Sequence, residues 1–323
     1  GYFKQACACS LELCLHRRRA ELSSLGDNSF GDHRAQEAVR GMYLCPGQFA
    51  AVASCGALCA CYVGVLYVGY DTSLSRDEPG VIVQRFRRVL AICVLAPLAL
   101  WLHAAPSSDA AGACAREVDM PVSEWLGLRF GAACWLGSAA ALGLTAILFL
   151  GPLAMMDADD WADLRRDRLS PRLTNARALL VGPFAEEWVF RAVMCPLLYS
   201  AGFAPGTCVL IAALVFGAAH LHHRLDMRRS WSAVLVMFTY TSLFGAYSAY
   251  LYMRTGHLLP AVLAHMFCNL MGLPDFGGIA HSSNPAQVRL CFFVGLVSFL
   301  AIARADAVWR PRLFDSAMWD EGL

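Results

Sequence analysis

Lysine is all but missing: of 26 basic residues only Lys4 is one, and it lies far from every long apolar run. A serine–lysine dyad within a membrane is thereby excluded. Charge of either sign is scarce, at 16% of 323 residues, where a soluble domain carries about a quarter. The net charge of +1 supplies no field that would draw in nucleic acid. The dipeptide His-Glu does not occur, so the H-E-x-x-H zinc motif is absent. No G-x-S-G falls in an apolar run, and the Gly-Asp pairs Gly26-Asp27 and Gly31-Asp32 sit in a polar stretch. Serine and paired-aspartate intramembrane proteases lose their signatures accordingly. Cysteine is plentiful at 14, but neither metal spacing nor a disulfide framework emerges, and most cysteines lie in apolar runs where they act as small hydrophobes.

What is present is apolar length. Hydrophobic residues make up 58% of the chain, gathered into runs near the 20 or so residues a bilayer crossing needs. Hydropathy predicts an all-α, polytopic transmembrane bundle of about eight spans: 47–70, 88–104, 129–154, 178–200, 205–221, 231–253, 257–272 and 288–304. The chain divides into a polar, poorly ordered N-terminal segment (1–45), a transmembrane domain (46–305) and a C-terminal tail (306–323). Arginine-rich loops alternate with poorer ones, which places 71–87, 155–177 and 222–230 on the cytosolic side. The stretch 161–177 reads as an amphipathic helix on the membrane surface.

Three polar motifs interrupt the apolar runs. In "GPFAEEWVFRAVMCP" (182–196), Glu187 and Arg191 are i and i+4 on a helix and can pair, which leaves Glu186 about 100° away. Ionisable groups at such depth are costly and mark function, although a structural ion pair is the rival reading. A carboxylate in an apolar site becomes a stronger base. In "VFGAAHLHHR" (215–224), His220 closes an apolar helix, with His222 and His223 beyond it. In "GHLLPAVLAHMFCNLMG" (256–272), His265 and Asn269 are i and i+4 and face one way. Singly, each suits helix–helix hydrogen bonding. Together they supply a base, a proton shuttle and oxyanion donors for adding water to a carbonyl. With 1.5 Å rise per residue, Glu186 lies about 12 Å below the cytosolic surface, and all three motifs converge on that side.

"AEEWVFRAVMCPLL", "FGAAHLHH" and "FGAYSAYLYMRTGHLLPAVLAHMFCNLMG" resemble the eukaryotic type II CAAX prenyl endopeptidases, the Ras-converting proteases of the endoplasmic reticulum, over roughly Tyr62 to Leu300. The family pattern E-E-x-x-x-R, F-x-x-x-H and H-x-x-x-N falls on Glu186/Glu187/Arg191, Phe216/His220 and His265/Asn269. The resemblance implies that Glu186 and His220 activate water, that His265 and Asn269 stabilise the oxyanion, and that Glu187 and Arg191 support them. It implies no metal and no cofactor. The substrates it implies are farnesylated or geranylgeranylated CAAX proteins such as Ras-like small GTPases, cut after the prenylated cysteine at a membrane site facing the cytosol. Phe244, Tyr247, Tyr250 and Tyr252 are candidates either to line a lipid groove or to pack. Two other readings stay open: a zinc protease using Glu186, His220 and His265, and a non-catalytic prenyl-protein receptor or scaffold.

Overall fold

The computed structural model describes residues 42–44, 46–69, 74–106, 122–222, 230–305, 308–309, 314 and 316–319. The expected poorly ordered segment therefore lies almost wholly outside the described residues, as does His223. Strand β1 (Met42–Leu44) precedes helices α1 (Gln48–Val65), α2 (Pro79–Leu95) and α3 (Leu98–Leu102). Strand β2 (Ala104–Pro106) then pairs antiparallel with β1, Leu44 opposite Ala104. After α4 (Val122–Trp125) come α5 (Ala132–Leu148), α6 (Leu150–Met155) and α7 (Ala158–Asp163). The run α8 (Leu173–Ala176), α9 (Gly182–Glu187) and α10 (Met194–Ser200) is one helix broken by wide π turns at Arg177–Val181 and Trp188–Val193. The last four helices are α11 (Pro205–Ala219), α12 (Trp231–Thr255), α13 (Leu258–Met271) and α14 (Pro285–Ala303).

The result is a polytopic helical membrane protein. Among the described residues, four helices are both long and apolar enough to cross a bilayer: Gln48–Val65, Pro205–His222, Trp231–Thr255 and Pro285–Ala303. Ala132–Leu148 and Leu258–Met271 are apolar but shorter. Each of the eight expected spans contains one of these helices or a stretch of α2 or the α8–α10 run. The second begins earlier than hydropathy placed it, because Pro79 occupies the first helical position, where its missing N–H costs nothing. The surface stretch 161–177 is not a single helix. A capping box at Asp157/Asp160 starts α7, which continues as a π turn to Arg168, and Leu173 onward belongs to the interrupted α8–α10 run.

The π turn at Arg177–Val181 has a local cause. Pro183 lacks an N–H and its ring crowds the carbonyl four residues back, so the backbone widens and the Gly182 N–H bonds the Arg177 carbonyl instead. A side chain at 182 would meet that carbonyl at 2.8 Å, so glycine fits there.

Helix α12 is the spine of the bundle. Ser230 caps its start by accepting from the Ala233 N–H, and Gly256, at φ 67°, ends it in the left-handed region. Its contact with α11 is close because Gly217 lies against Ser242 and Phe238, and Gly245 against Ala213 and Phe216. Helix α13 packs on α5, and α14 packs on α5 and α6. On α14 only Val288 and Gly295 are buried, and Leu290, Phe293 and Leu296 stand exposed. Apolar surface of this extent suits lipid rather than water.

Phe244, Tyr247, Tyr250 and Tyr252 of α12 pack. The Phe244 ring lies 4.5 Å from that of His265. Tyr247 hydrogen-bonds Thr145 at 2.8 Å, Tyr250 donates to the Ala303 carbonyl, and Tyr252 to the Trp125 carbonyl. Their hydroxyls tie α12 to its neighbours, which answers the groove alternative in favour of packing.

Candidate active site

Adjacent glutamates on α9 meet opposite environments. Glu187 is fully buried and has three partners. Arg191 Nε lies 3.0 Å from Oε2, one helical turn on. His265 Nδ1 lies 2.7 Å from Oε1, and the Ser248 hydroxyl of α12 donates to Oε2. Arg191, also fully buried, lays its guanidinium over the Phe216 ring at 4.3 Å. A buried charge is tolerable only when paired and hydrogen-bonded, and this cluster meets that condition for Glu187.

Glu186 points elsewhere. Its side chain keeps 24% exposure and lines a cavity of about 270 Å³. His220, His222 and Asn269 line the same cavity, with Tyr62, Phe86 and Phe190 among its walls. His265 reaches Glu186 from the protein side, its Nε2 3.8 Å from Oε2. One imidazole thus touches both glutamates: Nδ1 holds the sealed one and Nε2 faces the open one.

The histidine at the end of α11 is oriented by its own helix. His220 Nδ1 lies 2.8 Å from the Phe216 carbonyl. A carbonyl only accepts, so Nδ1 carries the proton, and a neutral ring then has its lone pair on Nε2. Phe216 also packs on the His220 ring at 4.7 Å and on Phe190 at 5.1 Å. Asn269 is anchored in turn, its Nδ2 donating to the Ala178 carbonyl at 2.9 Å. That bond uses one of two amide hydrogens and docks α13 on the π turn below the glutamates.

All six residues singled out from the sequence therefore occupy one neighbourhood. The i, i+4 pairing of Glu187 with Arg191 is present, and Glu186 diverges from it. Two members were not foreseen. Tyr62 of α1 is a buried tyrosine in the cavity wall, packed edge-on to Phe190 at 5.4 Å. Ser248 carried a readable signal: it follows Thr241 and Gly245 on a small and polar face of an otherwise apolar helix. Among the described residues, no three His, Cys, Asp or Glu side chains are grouped so as to hold a metal ion. Cys195 and Cys268 are buried packing residues.

Fold and site together define a multi-span helical membrane protein in which a glutamate and a histidine face a cavity cut into the bundle. Residues 169–271 match the family described as type II CAAX prenyl endopeptidase, Rce1-like. The chain is 38% identical over 287 residues to CAAX prenyl protease 2 of Homo sapiens, covering 83% of this chain and 84% of that protein. The protein of the same name in Rattus norvegicus is 34% identical over 83% of this chain and 82% of its own length. That of Arabidopsis thaliana is 37% identical over 39% and 42% respectively. No solved structure matches significantly. This chain belongs to the type II CAAX prenyl endopeptidase family.

Proposed function

We propose that this membrane CAAX endopeptidase hydrolyses the peptide bond after the prenylated cysteine of proteins ending in C-a-a-X, using Glu186 and His220 to activate water. The carrying observation is the split between the glutamates: Glu187 is neutralised by Arg191 and His265, and Glu186 faces the cavity beside His220. Glu186 and the His220 Nε2 lone pair hold a water and take its proton as the oxygen adds to the cysteine carbonyl. His265, as the imidazolium between the two glutamates, gives Nδ1–H to Glu187 and presents Nε2–H to the resulting oxyanion, and the second Asn269 amide hydrogen joins it. Collapse breaks the C–N bond, and Glu186 passes the proton to the departing amine. The products are a prenylcysteine carboxylate and a three-residue peptide.

The prenyl chain partitions into lipid, so the substrate arrives already confined to two dimensions, and its remote binding energy aligns the scissile bond. Ras-like GTPases are the substrates that fit this chemistry. The resemblance to the Ras-converting proteases supports an endoplasmic reticulum location, and the arginine-rich loops support a cavity open to the cytosol. Residues 46–305 form the catalytic domain in this reading.

The test is cleavage of a farnesylated C-a-a-X peptide by the purified full chain, read by mass spectrometry with and without a strong chelator. Loss of three C-terminal residues, unaffected by chelator and abolished in Glu186→Ala, His220→Ala and His265→Ala, is expected. Cleavage blocked by chelator and restored by zinc would replace this mechanism with a metal-dependent one. Folded protein that binds the peptide without cutting it would make the chain a receptor.

A further inference from the structure

The cavity that holds Glu186 is also lined by three arginines, Arg76, Arg85 and Arg177. They converge from two elements: Arg76 precedes α2, Arg85 lies within it, and Arg177 opens the π turn that leads to the glutamates. Arg85 is only 8% exposed, so its charge is committed to this interior rather than to bulk water. Arg177 is held in place: it donates to the Arg76 carbonyl at 2.9 Å and to Asp77 Oδ1 at 2.8 Å. A guanidinium has five donors, and these bonds account for two. General-base chemistry at Glu186 needs no such cluster.

The spacing gives the cluster an occupant. Nine residues separate Arg177 from Glu186, a rise of about 13 Å along the helix. A peptide cut three residues from its end carries its terminal carboxylate about 10 Å from the scissile carbonyl when extended. The arginine stem covers the difference. Asp77, bonded to Arg177, already shows that a carboxylate is accepted at this spot.

We propose that Arg177 and Arg85 receive the free C-terminal carboxylate of the substrate and so measure the three-residue tail that is removed. The proposal rests on the hydrolytic reading of Glu186 and His220. Arg177 and Arg85 act as specificity-determining residues: they bind the end of the substrate and leave the reacting bond to other groups. Recognition of a terminal carboxylate also explains how an endopeptidase selects one bond near a chain end, because a longer tail would carry its charge past the arginines.

The experiment compares farnesylated peptides ending in a free acid, in a carboxamide, and in one extra residue, using the full chain in phosphatidylcholine nanodiscs. The acid peptide on the parent protein tests the hydrolytic reading by itself; if it is not cut, that reading fails first and this proposal falls with it. With the acid peptide cut, kcat/KM for the amide is expected to be lower by roughly 10- to 100-fold, the scale of one hydrogen bond to a charged group. The extended peptide is expected to suffer similarly. In Arg177→Gln and Arg85→Gln the acid-over-amide ratio shrinks toward unity, and Arg177→Lys restores part of it. A purely structural arginine would lower both rates and leave the ratio intact. Equal cleavage of acid and amide by the parent overturns the proposal without any variant. If that equality is joined by activation on adding phosphatidylserine, the arginines serve lipid headgroups instead.

Discussion

Glu186 and Glu187 are chemically identical and adjacent, yet their substitutions should fail differently. Glu187→Ala leaves Arg191 fully buried without its counter-charge, which costs about 3–5 kcal/mol. Thermal unfolding in detergent should show that loss, and Arg191→Met added to Glu187→Leu should recover stability without recovering turnover. Glu186→Gln keeps shape and hydrogen bonding at a partly exposed site. It should leave the melting temperature unchanged while kcat falls by roughly 10²–10⁴-fold, the range for general catalysis. Asn269→Ala should lower kcat by about 10²–10³-fold, as for one oxyanion donor; unaltered turnover would confine its role to docking α13 on Ala178. Outside the membrane, the Arg177 hydrogen bond, helped by the charges of Arg177, Arg76 and Arg85, holds the Asp77 carboxyl below the usual carboxylate range. Its value is the lower one in the folded state, so the stabilisation is present above the unfolded value and vanishes as pH falls through the lowered one. The melting difference between the parent and Asp77→Asn should therefore persist at neutral pH and close only in strong acid.

At the scale of elements, the apolar runs were legible because a bilayer enforces length, and the charged motifs because apolar surroundings make them conspicuous. The i, i+4 spacing correctly paired Glu187 with Arg191. Less legible was everything set by tertiary approach. The polar face that holds Ser248 did not name Glu187 as its partner, and nothing in local pattern said that His265 would bridge both glutamates or that the tyrosines of α12 would spend their hydroxyls on neighbouring helices. The interruption at 169–172 was hidden because arginine-rich polarity continues across it. Close packing of α11 on α12 also depends on what is missing, the side chains at 217 and 245. An ideal methyl at Gly245 would sit 3.1 Å from the Ala213 Cα and 3.3 Å from the Phe216 Cβ. Gly245→Val should push Phe216 off the Arg191 guanidinium and off His220. Overpacking of this kind costs about 1–3 kcal/mol, so lower melting together with reduced kcat is the expected result, checked by calorimetry beside the cleavage assay.

Across the whole molecule, the tail set apart in the sequence is joined to the bundle where it is described. Trp309 and Phe314 are fully buried, and Trp319 stacks on the Arg254 guanidinium at 4.3 Å, near the end of α12. Truncation after residue 305 should therefore destabilise the bundle, with a drop in melting temperature larger than that of any single surface change. The wide turn at Arg177–Val181 reaches further still. It holds one residue more than an ordinary helical turn, inserted ahead of the glutamates. Deleting a residue there would rotate everything downstream by about 100° and turn a different side chain toward the cavity. Which carboxylate in this protein is reactive is thus a matter of angular phase, fixed by a single proline and the glycine before it, and a lineage could retune it by changing helix length without altering either glutamate.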